Sequence, residues 1–163
     1  MKRFVFSTAL LFTLIFTLQA CQNPGTQTAQ SEKEKTIYPK GDLAPSEFFT
    51  GNAYVHGLVD ADSVFTTAAG NVVFEAGARC NWHSHPAGQI LLVTAGKGYH
   101  QIEGEPKEII RKGDVVKCPP NVSHWHGASA DSSMTHIYMV PNTEKGIVEW
   151  GDAVTDEEFN STK

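Results

Sequence analysis

Residues 81–89, NWHSHPAGQ, place two histidines and a glutamine close together, and residues 123–127, SHWHG, carry a second histidine pair. In an extended strand, side chains two positions apart project from the same face. His83 and His85 can therefore reach one ion, and His124 and His126 share a face while Trp125 turns the other way. Gln89 follows the turn residues Pro86, Ala87 and Gly88 and opens the next apolar segment, where an antiparallel return can bring its amide oxygen back to the same point. Facing strands would thus present three imidazoles and one amide to a common centre. Neutral imidazole suits Mn, Fe, Co, Ni, Cu or Zn, and the hard amide oxygen favours Mn or Fe over Cu. None of these donors carries charge, so a bound ion would keep its double positive charge, act as a strong Lewis acid and leave room for water or substrate. The expected cofactor is a divalent metal, manganese preferred, with iron, zinc, nickel or cobalt compatible.

The remaining reactive side chains have weaker spacing. His126 should point into the same cavity as His124, either to hold a ligand or water in place or to move a proton, its ordinary pKa lying near 6.5. His136 shares strand parity with Tyr138 and Val140; it is either a satisfied core histidine or, with those two, part of a substrate pocket. His56 and His100 have no partner spacing, and His100 falls in an expected hairpin, where exposure is the default. Trp82 and Trp125 flank the histidines with opposite parity and should pack against the wall of the domain. Cys80 lies three residues before His83, but its even-numbered place in an extended run points it away from His83 and His85. Cys80 and Cys118 either pair in an oxidising exterior or stand as structural thiols.

These side chains must be positioned by strands. From Asn52 onward the chain reads as short segments rich in Val, Ile, Tyr and Phe: AYVHGLV, NVVFEA, RCNWHSH, QILLVT, GYHQI, EIIR, VVKC and MTHIYMV. Their spacing is that of an all-β sandwich or barrel, with SEFFTG able to form one helical turn before the first strand. TAGKG is expected to reverse QILLVT into GYHQI, EGEP and RKGD mark further turns, and CPPN stops a strand. The acidic tail offers Ile147, Val148, Trp150, Val154 and Phe159 for packing, over the barrel or against a second subunit.

The first 20 residues pair Lys2 and Arg3 with an apolar run that ends at Ala20, directly before Cys21, the pattern of a cleaved secretory signal. LQAC resembles a lipobox, which implies a lipid on Cys21, an exported cell-envelope protein and membrane contact through that lipid alone. Losing Lys2 and Arg3 takes the basic residues from 13 to 11 against 18 acids, a net charge of −7, which excludes nucleic acid as a partner. Residues 21–40 are expected as a polar tether, and residues 41–163 as one domain with its core at about 52–140.

Gly77, His83, His85, Gln89 and Gly96 keep the spacing of the first motif of the cupin family, with Gln where that motif has Glu. Gly113, Pro119 and His124 keep the second, with Asn121 in a glycine position. The chain thus resembles cupins, and its runs RCNWHSHPAGQILLVTAGKGY, GDVVKCPPNVSHWHGA and MTH look like small bacterial cupins related to manganese-dependent hydroxynitrile lyases. The resemblance implies a single jelly-roll β-barrel, a homodimer or homotetramer, His83, His85, Gln89 and His124 on the metal, and His126 and His136 in the substrate pocket. Gln cannot act as a base. The expected activity is therefore a metal-dependent lyase on a small carbonyl or hydroxy substrate, with His126 or His136 carrying the proton. A cupin dioxygenase on a phenolic or enolic substrate, or a non-catalytic envelope protein that binds a small ligand, are the alternatives.

Overall fold

The computed structural model describes residues 37–161 of the 163; the expected signal segment, Cys21 and most of the expected tether fall outside them. In chain order the strands are β1 (Asp42–Leu43), β2 (Phe49–Thr50), β3 (Ala53–Val59), β4 (Thr67–Phe74), β5 (Arg79–Cys80), β6 (His83–Ser84), β7 (Gln89–Ile102), β8 (Glu108–Arg111), β9 (Val115–Cys118), β10 (His124–Ala128), β11 (Met134–Pro141) and β12 (Glu149–Trp150). One short helix, α1 (Asp156–Asn160), follows. All pairings are antiparallel. β1, β3, β4, β11, the first half of β7 and β9 form one sheet. β2, β5, β10, the second half of β7 and β8 form the other, with β6 laid between β10 and β12.

The expected reversal at TAGKG does not occur. β7 is continuous, pairing with β11 as far as Gly96 and with β10 from Gly98 onward, so one strand serves both sheets. A register shift opposite Thr135 and His136 bends it, and Gly96, at φ +72°, carries the bend. The bulge also moves the inward-facing parity of β7 from Gln89, Leu91 and Val93 to Gly98 and His100. The turns expected at EGEP and RKGD are present, closed by Glu105 N–H to the Ile102 carbonyl and Asp114 N–H to the Arg111 carbonyl. β9 ends at Cys118, directly before Pro119, and Asn121, at φ +58°, adopts the left-handed conformation for which the second motif has glycine. SEFFTG makes a turn at Phe48 and then contributes β2 instead of a helix.

RCNWHSH is also not one strand. Asn81 N–H bonds to the Phe48 carbonyl and Trp82 N–H to the Asp152 carbonyl, and this pairing with two distant segments splits it into β5 and β6. Buried Phe74, Leu91, Val93, Trp125 and Met134 fill the core. The acidic tail drapes over the same chain. Arg79 donates to the Val154 carbonyl and to Asp156, and Val154 and Phe159 are buried. The Thr155 hydroxyl accepts from Glu158 N–H while Glu158 accepts from Thr155 N–H, a capping box that starts α1 and aims Phe159 inward. Trp82 and Trp125 pack edge to face outside the histidine cluster, as expected from their parity.

The bend in β7 has a specific consequence. A Cβ at Gly96 would lie 1.9 Å from the Ser133 carbonyl oxygen, whereas one at Gly113, φ +96°, meets nothing within 4 Å. Urea unfolding should therefore show Gly113→Ala costing about 1 kcal/mol, from backbone strain alone, and Gly96→Ala at least about 3 kcal/mol. Equal losses would mean that the crossing of β7 is not the constraint described.

Candidate metal centre

β6 presents His83, which lies opposite His124 at the start of β10. His85 follows β6 and its carbonyl accepts the N–H groups of Gly88 and Asn121, closing the turn that returns the chain to Gln89 at the head of β7. The ligand atoms of His83, His85 and His124 lie within 4.8 Å of one another, and Gln89 Oε1 stands 3.4 Å from His124 Nε2. Each ring has its Nδ1 at a backbone carbonyl: His83 at Asn81 O (2.9 Å), His124 at Val122 O (2.9 Å) and His85 at Ile147 O (2.5 Å). A carbonyl can only accept, so Nδ1 carries the proton and the Nε2 lone pair is left to the shared centre. His85 Nε2 is buried with no hydrogen-bond partner among the described residues. A buried, unpaired acceptor is costly, and a divalent cation satisfies it, so the donor set fits a metal.

Cys80 departs from expectation. Its Sγ lies 3.6 Å from His83 Nδ1, because the break at Asn81 and Trp82 cancels strand parity. Cys80, His83 and His126 thus form a second group of ligand atoms within 4.8 Å. The thiol is nevertheless engaged by the backbone of His126, 3.1 Å from its carbonyl and 3.3 Å from its nitrogen, and burial pushes it up to about 12. It ties β5 to β10. Cys118, also a free buried thiol, sits 3.5 Å from His100 Nε2. His100 is buried, not exposed as a hairpin residue would be, because the bulge in β7 turns it inward.

Above the histidines opens a cavity of about 240 Å³. His83, His85, Gln89, His126, His136, Tyr138 and Val140 line it, together with Phe48, Phe49, Phe74 and Trp150, and no carboxylate, lysine or arginine takes part. His126 and His136 meet edge to face at 4.8 Å, and Phe74 packs on both. Nδ1 of His126 and both ring nitrogens of His136 are buried without partners among the described residues. The aromatic wall, which sequence spacing did not reveal, comes from segments far apart in the chain.

Burial holds these imidazoles neutral. It pushes His124 and His136 down to about 4, His83 and His126 well below the ordinary range, and His85 and His100 in the same direction. Neighbouring imidazoles add to the lowering at His83 and His126. Between the unfolded value near 6.5 and the depressed folded values, the unfolded chain binds protons that the folded one does not. Protein stripped of metal should therefore keep constant stability between about pH 7 and pH 8 and lose several kcal/mol between about pH 6.5 and pH 4, measured by urea unfolding. Unchanged stability across that window would show that the histidines titrate normally.

Residues 70–141 match the Cupin domain family. Over 115 residues the chain is 43% identical to (R)-mandelonitrile lyase of Granulicella tundricola, covering 71% of this chain and 88% of that protein. A cupin-like protein of Thermotoga maritima superposes with a TM-score of 0.77 at 50% identity, over 78% of this chain and 97% of that one. A cupin-2 domain of Rhodospirillum rubrum shares the fold at 17% identity, with a TM-score of 0.57 over 76% of this chain and 82% of that one. With two short sheets joined by β7 around a histidine-lined cavity, and with these relatives, the chain belongs to the cupin family.

Proposed function

We propose that this cupin is a divalent-metal-dependent lyase, manganese preferred, that cleaves or forms a carbon–carbon bond beside a carbonyl or hydroxyl group, as in hydroxynitrile cleavage. The observation that carries the proposal is the pair of unpartnered, neutral imidazoles, His126 and His136, set beside a donor group with no charge of its own. The 43% identity to a mandelonitrile lyase supports the same class. In this reading His83, His85, Gln89 and His124 hold the ion. Such an ion would polarise a substrate oxygen and make a hydroxyl there more acidic.

The chain's own groups then handle the proton. In a cyanohydrin, the hydroxyl loses its proton, the carbon–carbon bond breaks to leave an aldehyde, and the departing cyanide carbon takes a proton. His136, neutral and facing the cavity, accepts the hydroxyl proton, and the His126–His136 pair delivers it to the leaving carbon. Tyr138, its phenol pushed up by burial, stays protonated and borders the same space. Phe48, Phe49, Phe74 and Trp150 exclude water and seat the apolar part of the substrate. An uncharged lining selects against carboxylate substrates, which would have to shed their hydration without gaining a basic partner.

Two measurements check the reading. Elemental analysis and Mn²⁺ titration should show one ion per chain in the wild type, and a loss of affinity of at least about 100-fold in His124→Ala. Cyanide release from an aromatic cyanohydrin by the Mn-loaded protein should fall by about 100-fold in His136→Ala with the metal content unchanged. No turnover by the loaded wild type, or full turnover without His136, would refute the mechanism.

A further inference from the structure

Two of the three imidazoles at the centre are held by carbonyls two residues upstream in the chain: Asn81 for His83 and Val122 for His124. Those bonds form whenever the barrel forms. His85 is different, because its carbonyl partner belongs to Ile147, 62 residues away in the C-terminal segment. The same segment lays Trp150 opposite His83 in the β6–β12 pairing, with the rings 5.0 Å apart. Phe48 stacks on the other aromatic surface of this strap, 4.6 Å from Trp150 and nearly parallel at 14°. Gly146 passes over Pro86 closely enough that a Cβ there would sit 3.1 Å from the proline ring.

The strap is anchored at both ends and thinly held between them. Upstream, Thr143 N–H bonds to the Thr66 carbonyl; downstream, Gly151 N–H bonds to the Trp82 carbonyl and Arg79 clamps Val154 and Asp156. Between these anchors Ile147 remains 48% exposed, although it borders the cavity with Val148 and Trp150. Without Ile147 O, only the Gln89 side chain, itself one of the four donors, bears on which nitrogen of His85 carries the proton among the described contacts.

We propose that residues 146–150 are a positioning element of the metal centre, so that strap closure and metal binding strengthen each other. This rests on the metal reading above. Closure commits the His85 proton to Nδ1 and offers Nε2 as a ligand; an ion on Nε2 in turn keeps Nδ1 protonated and favours the Ile147 bond. By reciprocity, the factor by which closure tightens the ion is the factor by which the ion favours closure. Groups that orient a metal-binding imidazole are worth about 10- to 100-fold in affinity.

Lys145, exposed and directly before the strap, supplies a reporter that needs no mutation. Trypsin cleavage after Lys145 in the full chain is followed with and without saturating Mn²⁺, alongside Mn²⁺ affinity from the electron paramagnetic resonance of the free ion. Mn²⁺ should slow that cleavage about tenfold in the wild type. Trp150→Ala should weaken Mn²⁺ binding about tenfold and remove the protection, and Trp150→Phe, which keeps a ring on Phe48, should restore both. Binding of Mn²⁺ to the wild type without protection at Lys145, or unchanged affinity in a folded Trp150→Ala, overturns the strap's role and leaves the metal reading standing. A wild type that takes up no Mn²⁺ removes both.

Discussion

Six imidazoles withdrawn from water around one end of a β-barrel set the terms for everything else in this molecule. His83, His85, His100, His124, His126 and His136 are all buried, and desolvation makes their charged forms unfavourable. A neutral imidazole is a donor at one nitrogen and an acceptor at the other, so each ring needs two partners or a reason to lack one. The fold gives three of them a carbonyl at Nδ1, and among the described residues His85 Nε2 has no hydrogen-bond partner. Each unmet buried group costs about 1–3 kcal/mol, a burden that a bound cation would relieve.

Positioning these groups falls to a few strands with unusual duties. β7 begins with Gln89 at the centre, crosses from one sheet to the other at Gly96, and ends by pairing with β10, which carries His124 and His126. Cys80 joins β5 to the same strand by hydrogen bonds to the backbone of His126. The free thiols are thus packing and hydrogen-bonding groups inside the barrel, not a crosslink. Phe74 packs on the inner histidines, while Trp125, on the opposite face of β10, is buried against Trp82 and Phe159.

Imidazoles and an amide, all uncharged, share the cavity wall with aromatic rings from β2, β4 and the C-terminal strap, and Phe74 and Trp150 pack directly on histidines. A wall assembled partly from the chain's last segment also means that access to the site and the geometry of His85 depend on the same few residues.

Local spacing was enough to gather His83, His85, Gln89 and His124, because the period of two along a strand and the turn at Pro86–Gly88 are decided by neighbours in the chain. For the same reason the all-β class and the turns at EGEP and RKGD were legible, whereas parity left His136, with Tyr138 and Val140, open between core and pocket, and only the cupin resemblance pointed them to the cavity that they line. The reversal expected at TAGKG was not, since a glycine pair is compatible with a turn or with a bulge, and the pairing of β7 with β11 and β10 chooses between them. His100 and Cys80 were misassigned through the same gap: alternation fails wherever a strand bulges or breaks, and those breaks are set by distant backbone partners such as Phe48 and Asp152. The carbonyl of Ile147 at His85 and the ring of Trp150 at His83 left no local trace at all. Every residue supplies a carbonyl, so only the folded path of the chain decides which one reaches a histidine.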